Sequence, residues 1–556
     1  SAGTSNFRAG VNAGNSIASG GNFNVCVGDE AGTAITTGDS NVAIGYAALN
    51  ATVGTNYNIA IGTDALGAIV TSDSNVAIGH AALLTNTSGS RNNAVGHAAL
   101  LLNTTGNYNT AMGYFSLGAN VGADNNTALG DTSLYLNTTG ASNTAVGSNS
   151  LYTNLSGAAN TAVGTNSSFA QTTAGSNTTV GFNTLYHNVT GANNTAVGSN
   201  ALTGVSGQSA SYNTAVGSSA MISTTTGHSN VGIGYTAARD VSTGVNNTCV
   251  GTYAGIQMTV GSSNVALGAN TLYAICTGSS NTAVGTNAMY VNTTGYSNTA
   301  VGVQALDANT EGAQNTAVGV NALGANATGV NNAAVGGHAL DACVSGSYNT
   351  AMGNDALTAT TASNNTAFGA FSGNSITTGS SNICIGYDAD TSAGDSTNQI
   401  VIGYGLNGSE NDQFTFGKTS NIVQNEFDTD AAWTRTSDVR KKRNIKDDEL
   451  GLEFINNLRT VTHQWKPSNE FPKEWTEYSE TNNMNLDAVM HGLIAQEVKE
   501  ALDKADCDTF SGWKEREDGS QTVSREMFVT PLIKAVQELS AEINELKKWK
   551  EEHTCG

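Results

Sequence analysis

Proline is nearly missing from this sequence. All three prolines, Pro467, Pro472 and Pro531, lie after residue 430, and so do all five tryptophans, Trp433, Trp465, Trp475, Trp513 and Trp549. Before that point Arg8, Arg91, Arg239 and Lys418 stand alone against 20 acidic side chains, a net charge of −16, whereas the remainder carries 18 basic and 24 acidic residues, net −6. A nucleic-acid partner is therefore excluded, because phosphate binding needs clustered Lys and Arg. No apolar run approaches the roughly eighteen residues a membrane span requires, and no secretory signal opens the sequence at Ser1, so no membrane insertion is expected and an upstream segment is left open. The few carboxylates and the lack of tryptophan before Trp433 disfavour glycan hydrolysis, which needs two carboxylates facing a groove, usually beside aromatic platforms.

What fills the first four-fifths instead is a repeat. A glycine closes each Asn-x-small-apolar-Gly unit at Gly28, Gly45, Gly62 and every 17 residues to Gly198. The series resumes at Gly217 after a two-residue insertion and runs to Gly353, then passes Gly369, Gly386 and Gly403 with one residue missing before Gly369. Twenty of twenty-two intervals are identical, which marks a stacked repeat rather than a conventional globular fold. The residue before each glycine is always apolar, and the one before that is Ala except at Gly232, Thr179, Val401, Cys26, Cys249 and Cys384. This pattern predicts a short β-strand ending in a turn that needs positive φ or close backbone approach. The cysteines at the small position are expected to act as buried small hydrophobes, not disulfide partners.

Four residues ahead of the glycine stands Asn in twenty-two of twenty-three units, with Gln399 the exception. Stacked coils place these amides one strand spacing apart, where each can hydrogen-bond the next. A second apolar column lies four residues after the glycine, at Leu49, Leu66, Leu83, Leu100, Leu117, Leu134, Leu151, Leu306 and Leu340. Two apolar contributions per coil imply a thin inner face that one chain cannot bury alone, hence an obligate trimer. At about 4.8 Å per coil the rod is roughly 110 Å long. No metal or cofactor is expected. His80 and His97 follow consecutive glycines and read as a surface ladder without a recurring carboxylate or cysteine, and Asp388, Asp390 and Asp395 match no defined Ca²⁺ spacing.

Units such as Ser40-Asn-Val-Ala-Ile-Gly-Tyr-Ala-Ala-Leu49 and Asn281-Thr-Ala-Val-Gly-Thr-Asn-Ala-Met289 resemble the repeats of trimeric autotransporter adhesin heads over roughly residues 10 to 403, with a longer coil. That resemblance implies a left-handed parallel β-roll, three chains about one axis. At the other end, Ser437-Asp-Val-Arg-Lys-Lys-Arg-Asn-Ile445, Phe454-Ile-Asn-Asn-Leu458, Trp465-Lys466, Gly492-Leu-Ile-Ala-Gln-Glu-Val498 and Pro531-Leu-Ile-Lys-Ala-Val-Gln-Glu-Leu539 resemble the endosialidase-type intramolecular chaperone domain. Lys441 stands where that motif is usually apolar, and His463-Gln464 replaces its usual aromatic run. The resemblance implies a trimerising domain, found behind many phage tail spikes and fibres, that a Ser-Lys dyad cuts away. Ser437 and Lys442 hold the dyad's spacing, with Lys442 as general base and Thr436–Ser437 as the scissile bond. Downstream, Val529, Leu532, Val536, Leu539, Ile543 and Leu546 alternate steps of three and four, the seam of a coiled coil, against the alternative of a helix packed on its own domain.

The expected fold is mainly β: a 17-residue-repeat parallel β-roll or β-solenoid shaft over residues 1–403, forming a homotrimer. A neck follows over 404–436, then a small α+β chaperone domain over 437–556 ending in a coiled-coil helix at about 529–550. The expected function is a structural and adhesive homotrimeric phage tail fibre, located in the virion, whose chaperone domain acts in the host cytoplasm during assembly. Its partners would be a host cell-surface receptor, glycan or envelope protein, and tail or baseplate proteins. A polysaccharide-degrading tail spike and a cellular trimeric surface adhesin are the alternatives.

Overall fold

The computed structural model describes residues 3–274, 276–419, 421–426, 439, 442–475, 477–482, 484 and 486–554. They form two compact units, Ser1–Arg435 and Thr436–Gly556. The first is a parallel β-solenoid. Each short strand pairs in parallel with the strand one coil on, from Phe7–Ala9 through Thr144–Val146 to Gln413–Lys418, and an antiparallel strand, Asn421–Glu426, closes the series. The repeat thus reaches one coil before Gly28 and one beyond Gly403, with spacings at the ends that depart from 17 residues.

Register is exact: Ala145 faces Ala128 and Ala162, Val146 faces Leu129 and Val163. From Val25–Val27 onward the small middle residue of each three-residue shaft strand faces inward and is buried, as at Ala43, Ala145 and Cys249. The glycine that ends each strand takes a positive φ, +127° at Gly164, and a Cβ there would stand 2.3 Å from the carbonyl oxygen of Gly181 in the next coil. Only glycine tolerates that approach. Beyond it the chain does something the repeat pattern hid. The residues two and four places after the glycine both adopt left-handed φ, such as Ala47 at 52° and Leu49 at 53°. Their amides bond in opposite directions, Ala47 N–H to Asp29 O in the preceding coil and Leu49 N–H to Ala65 O in the following one.

Left-handed φ costs a non-glycine residue roughly 1–2 kcal/mol. Here the twist turns the leucine inward onto the strand's alanine, and burying one such side chain returns about 1.5–3 kcal/mol, with the inter-coil bonds adding to it. This corrects the expectation that a coil cannot cover its own apolar residues: Leu49, Leu66, Leu83, Leu100, Leu117, Leu134 and Leu151 are all fully buried within a single chain. What stays outside is the apolar residue just before each glycine. Ile78, Met112, Leu129, Val180 and Phe368 remain more than a third exposed.

The asparagine ladder is present and buried. Asn143 Nδ2 donates to Asn126 Oδ1 at 3.2 Å and to Gly157 O at 2.9 Å, while its Oδ1 accepts from both the backbone N–H and the side-chain amide of Asn160 at 3.0 Å. A second ladder, seven residues after the glycine, escaped the sequence reading. Asn86, Asn103, Asn120, Asn137 and Asn154 bond amide to amide at 2.7–3.2 Å, and Asn292, Asn309 and Asn326 repeat the arrangement. The rungs stop where the next coil carries another residue, Gln171 or Cys343, and there the last carbonyl oxygens, Asn154 Oδ1 and Asn326 Oδ1, accept no hydrogen bond.

The second unit is a small α/β region. Its core gathers Leu450, Phe454, Val498, Ala501, Leu502 and Phe528. Phe454 comes from α1 (Leu452–Asn456), and Val498, Ala501 and Leu502 form the inner face of α2 (Ala495–Lys504), spaced as one helical stripe. Two antiparallel strand pairs, Val461–His463 with Met490–Gly492 and Trp513–Glu515 with Gln521–Val523, brace them. The chain ends in α3 (Val529–His553), 25 residues long. Among the described residues no helix is long and apolar enough to cross a membrane.

Candidate functional site

The expected cleavage site falls at the start of the second unit. Thr436 and Ser437, the expected scissile pair, lie outside the described residues, as does Lys441. Lys442 is described and exposed, and its backbone N–H donates to Val439 O at 3.0 Å. From there the chain runs exposed through residue 449 until Leu450 enters the core. The sequence therefore brings Ser437 and Lys442 within five positions, and the described geometry covers the lysine alone.

Behind this segment α1 is tied to α3. Glu538 Oε2 accepts from Leu452 N–H at 2.6 Å, satisfying one of the amides a helix start leaves without a partner. Gly451 makes the approach possible, since a Cβ there would stand 2.2 Å from the Glu538 carboxylate. On the surface Arg459 pairs with Glu497, whose carboxyl is held below the usual range by that hydrogen bond.

Helix α3 buries only Pro531 and Ala535 against its own unit. The stripe Val529, Leu532, Val536, Leu539, Ile543 and Leu546 is exposed throughout, from 42% at Ile543 to 64% at Val536 and Leu546. In the single chain most of the apolar seam does not pack on its own domain, which meets a neighbouring face of α3 through Pro531, Ala535 and Glu538. At its N-terminal end the stripe runs into a groove of about 670 Å³ whose walls include Ile455, Leu458, Val461, Leu493, Phe528 and Leu532 itself.

On the shaft, the rings of His80 and His97 stack with centroids 5.0 Å apart, and the stack passes to Tyr114 at 5.2 Å. A second run, Tyr135, Tyr152, Phe169 and Tyr186, stacks at 5.0–5.4 Å, one ring per coil. Such ladders tie neighbouring coils together. Asp390 is buried and accepts from Ser375 N–H and Thr391 N–H, so its carboxylate serves the coil; burial raises it above the usual carboxylate range. Two other carboxylates, Asp307 and Asp341, flank Gly324 from the coils on either side, and a Cβ on Gly324 would stand 2.6 Å from Asp341 Oδ1 and 3.7 Å from Asp307 Oδ1. Burial, with Asp341 as a lesser cause, raises Asp307. Five buried cysteines are free, and burial pushes the Cys343 thiol up to about 11 and Cys249 to about 12.

Residues 437–506 match the protein family described as the chaperone of endosialidase. The match ends before α3 begins. No curated protein and no solved structure matches the chain.

Proposed function

We propose that this chain is a homotrimeric phage tail fibre whose shaft carries a host-binding surface and whose residues 437–556 register three chains and then cut themselves away. The observation that carries this reading is the likeness of residues 437–506 to the chaperone of endosialidase, directly following a shaft of near-identical coils. Such a shaft has a register problem. A slip of one repeat keeps almost every contact between chains, so the folding energy landscape has near-degenerate wells unless another part of the protein aligns the copies. The exposed seam of α3 supplies an aligning element: Val and Ile alternate with Leu at coiled-coil spacing, unpartnered by their own domain.

In the cleavage step Lys442 Nζ takes the Ser437 hydroxyl proton, and Oγ attacks the carbonyl carbon of Thr436. The Thr436–Ser437 C–N bond breaks, the freed amine takes the proton, and water hydrolyses the resulting ester. A lysine works as a base only when partly desolvated, and Lys442 is exposed in the single chain. Cover from a second chain would supply that desolvation, which makes cutting follow assembly. Release then leaves a trimer that cannot re-register once unfolded. After release in the host cytoplasm the shaft remains in the virion, joined to tail or baseplate proteins and facing a host receptor.

Intact mass of the purified protein tests the reading. Wild type is expected to give a C-terminal fragment beginning at Ser437, Ser437→Ala and Lys442→Ala to stay uncut, and Lys441→Ala to cut nearly as wild type. A wild type that never cuts, or a cut blocked by Lys441→Ala and not by Lys442→Ala, overturns the dyad. A second reading, a polysaccharide-cleaving shaft, is favoured by the Asp307–Asp341 pair alone; loss of host-glycan cleavage in Asp307→Asn would establish it.

A further inference from the structure

The first and third residues of each shaft strand from Val25–Val27 to Ile400–Tyr404 point outward, and together they form one continuous face. From Val25 and Val27 to Ile400 and Ile402 neither column contains a single charged residue, although the first 430 residues carry 20 carboxylates elsewhere. The third-position column is apolar at all 23 coils. The first-position column is Val or Ile near both ends, at Val25, Val42, Ile59, Val76, Ile383 and Ile400, and mostly Thr between them. Met112, Leu129, Val180, Met352 and Ile385 in the third-position column are each more than a third exposed. The third-position column thus leaves a continuous apolar stripe partly open to solvent, and contiguous patches of this kind mark interaction surfaces.

We propose that this strand face is the seam along which copies of this chain pack in parallel and in register. The inference rests on the homotrimer reading and assigns the surface that reading leaves open. An acidic shaft can lie beside copies of itself only along a face free of charge, since like charges facing each other at short range cost energy that a screened surface position avoids. The face also carries a few irregular rungs, too few to set register without residues 437–556. Wide side chains stand at Met112, Leu129, Met352 and Phe368 among narrow valines, and the coil is two residues longer before Gly217 and one shorter before Gly369. A slip of one coil therefore sets wide rungs against narrow ones and misaligns both irregular coils. The aromatic ladders and the loops between Asn154 and Asn160 lie outside the two columns and stay free to meet other molecules.

Cross-linking within the full-length chain tests the seam. Val146→Cys and Thr144→Cys place a thiol in the two columns, whereas Ser156→Cys places one on an exposed loop about half a coil away. Each purified variant is treated with a short bismaleimide beside the wild-type chain, which reports the background from Cys507 and Cys555. Native mass spectrometry gives the oligomeric state in parallel. The expected result is a trimer in every case and several-fold more chain-to-chain cross-linking at residue 146 or 144 than at 156. A trimer that cross-links at 156, or equally at all three positions, or at none above wild type, overturns the seam and leaves the trimer standing. A monomer overturns both. Because the two strand variants differ in size and polarity, misfolding of one still leaves the other to decide.

Discussion

Asn143→Ala removes one rung of the first ladder, and the structure says what that costs. The side chain reaches two buried backbone groups: its Nδ2 shares Gly157 O with Asn154 Nδ2, and its Oδ1 is the acceptor for the N–H of Asn160. Alanine leaves the Asn160 amide unpaired, while the Gly157 carbonyl keeps its bond from Asn154. A buried orphan costs about 1–3 kcal/mol, so the variant is expected to lose roughly 1–3 kcal/mol per chain. The loss is local, because in a stacked repeat each coil contacts only its neighbours and a global melt reports mainly the other coils. Amide hydrogen exchange followed by mass spectrometry over residues 143–160 is the fitting assay. An opening equilibrium moved by about 2 kcal/mol exchanges about 30-fold faster, and larger losses scale accordingly. Ser156→Ala, on an exposed position, serves as the control. Protection in that peptide within threefold of wild type would refute the claim that the ladder carries backbone satisfaction and would reduce it to decoration of an already complete fold.

Ala145→Leu is expected to overpack a fully buried strand position between Ala128 and Ala162, at about 1–3 kcal/mol per chain; exchange in the neighbouring coils rises if so, and an unchanged profile would contradict the inward placement. Cys343→Asn extends the second ladder by one rung, giving Asn326 Oδ1 the donor it lacks, and is expected to stabilise the shaft by about 1 kcal/mol in denaturant unfolding. Deleting residues 437–556 before synthesis is expected to give misassembled shaft, whereas removing them after assembly leaves the rod intact; a fully trimeric shaft made without them, by light scattering, would contradict the chaperone role.

Much of this architecture is legible without coordinates because it is periodic. The 17-residue spacing of Gly28, Gly45 and Gly62, with Asn four places ahead and Ala two, dictates a parallel stack: a fixed period puts the same residue type at the same place in each coil, and only glycine and small side chains fit the close approach seen at Gly164 and Ala145. The spacing of Ser437 and Lys442 and the seam of α3 are equally plain in the chain, and the exposure of Val536 and Leu546 agrees with a seam that waits for a partner. Even the second ladder had a written signal, since Asn86, Asn103, Asn120, Asn137 and Asn154 keep the period.

Tertiary structure alone decided which apolar column is inside. In a strand, alternation separates two faces but does not say which one the chain will cover. The answer came from the left-handed residues at Ala47 and Leu49, a conformation for which a non-glycine residue gives little local warning, and which folds the leucine back over the strand's alanine. That closure let one chain bury its own Ala and Leu columns and turned the residue before each glycine outward. The contact of Glu538 with Gly451 and Leu452, eighty-odd positions apart, belongs to the same class. Such pairings depend on how distant segments meet, and no local pattern in either segment announces them.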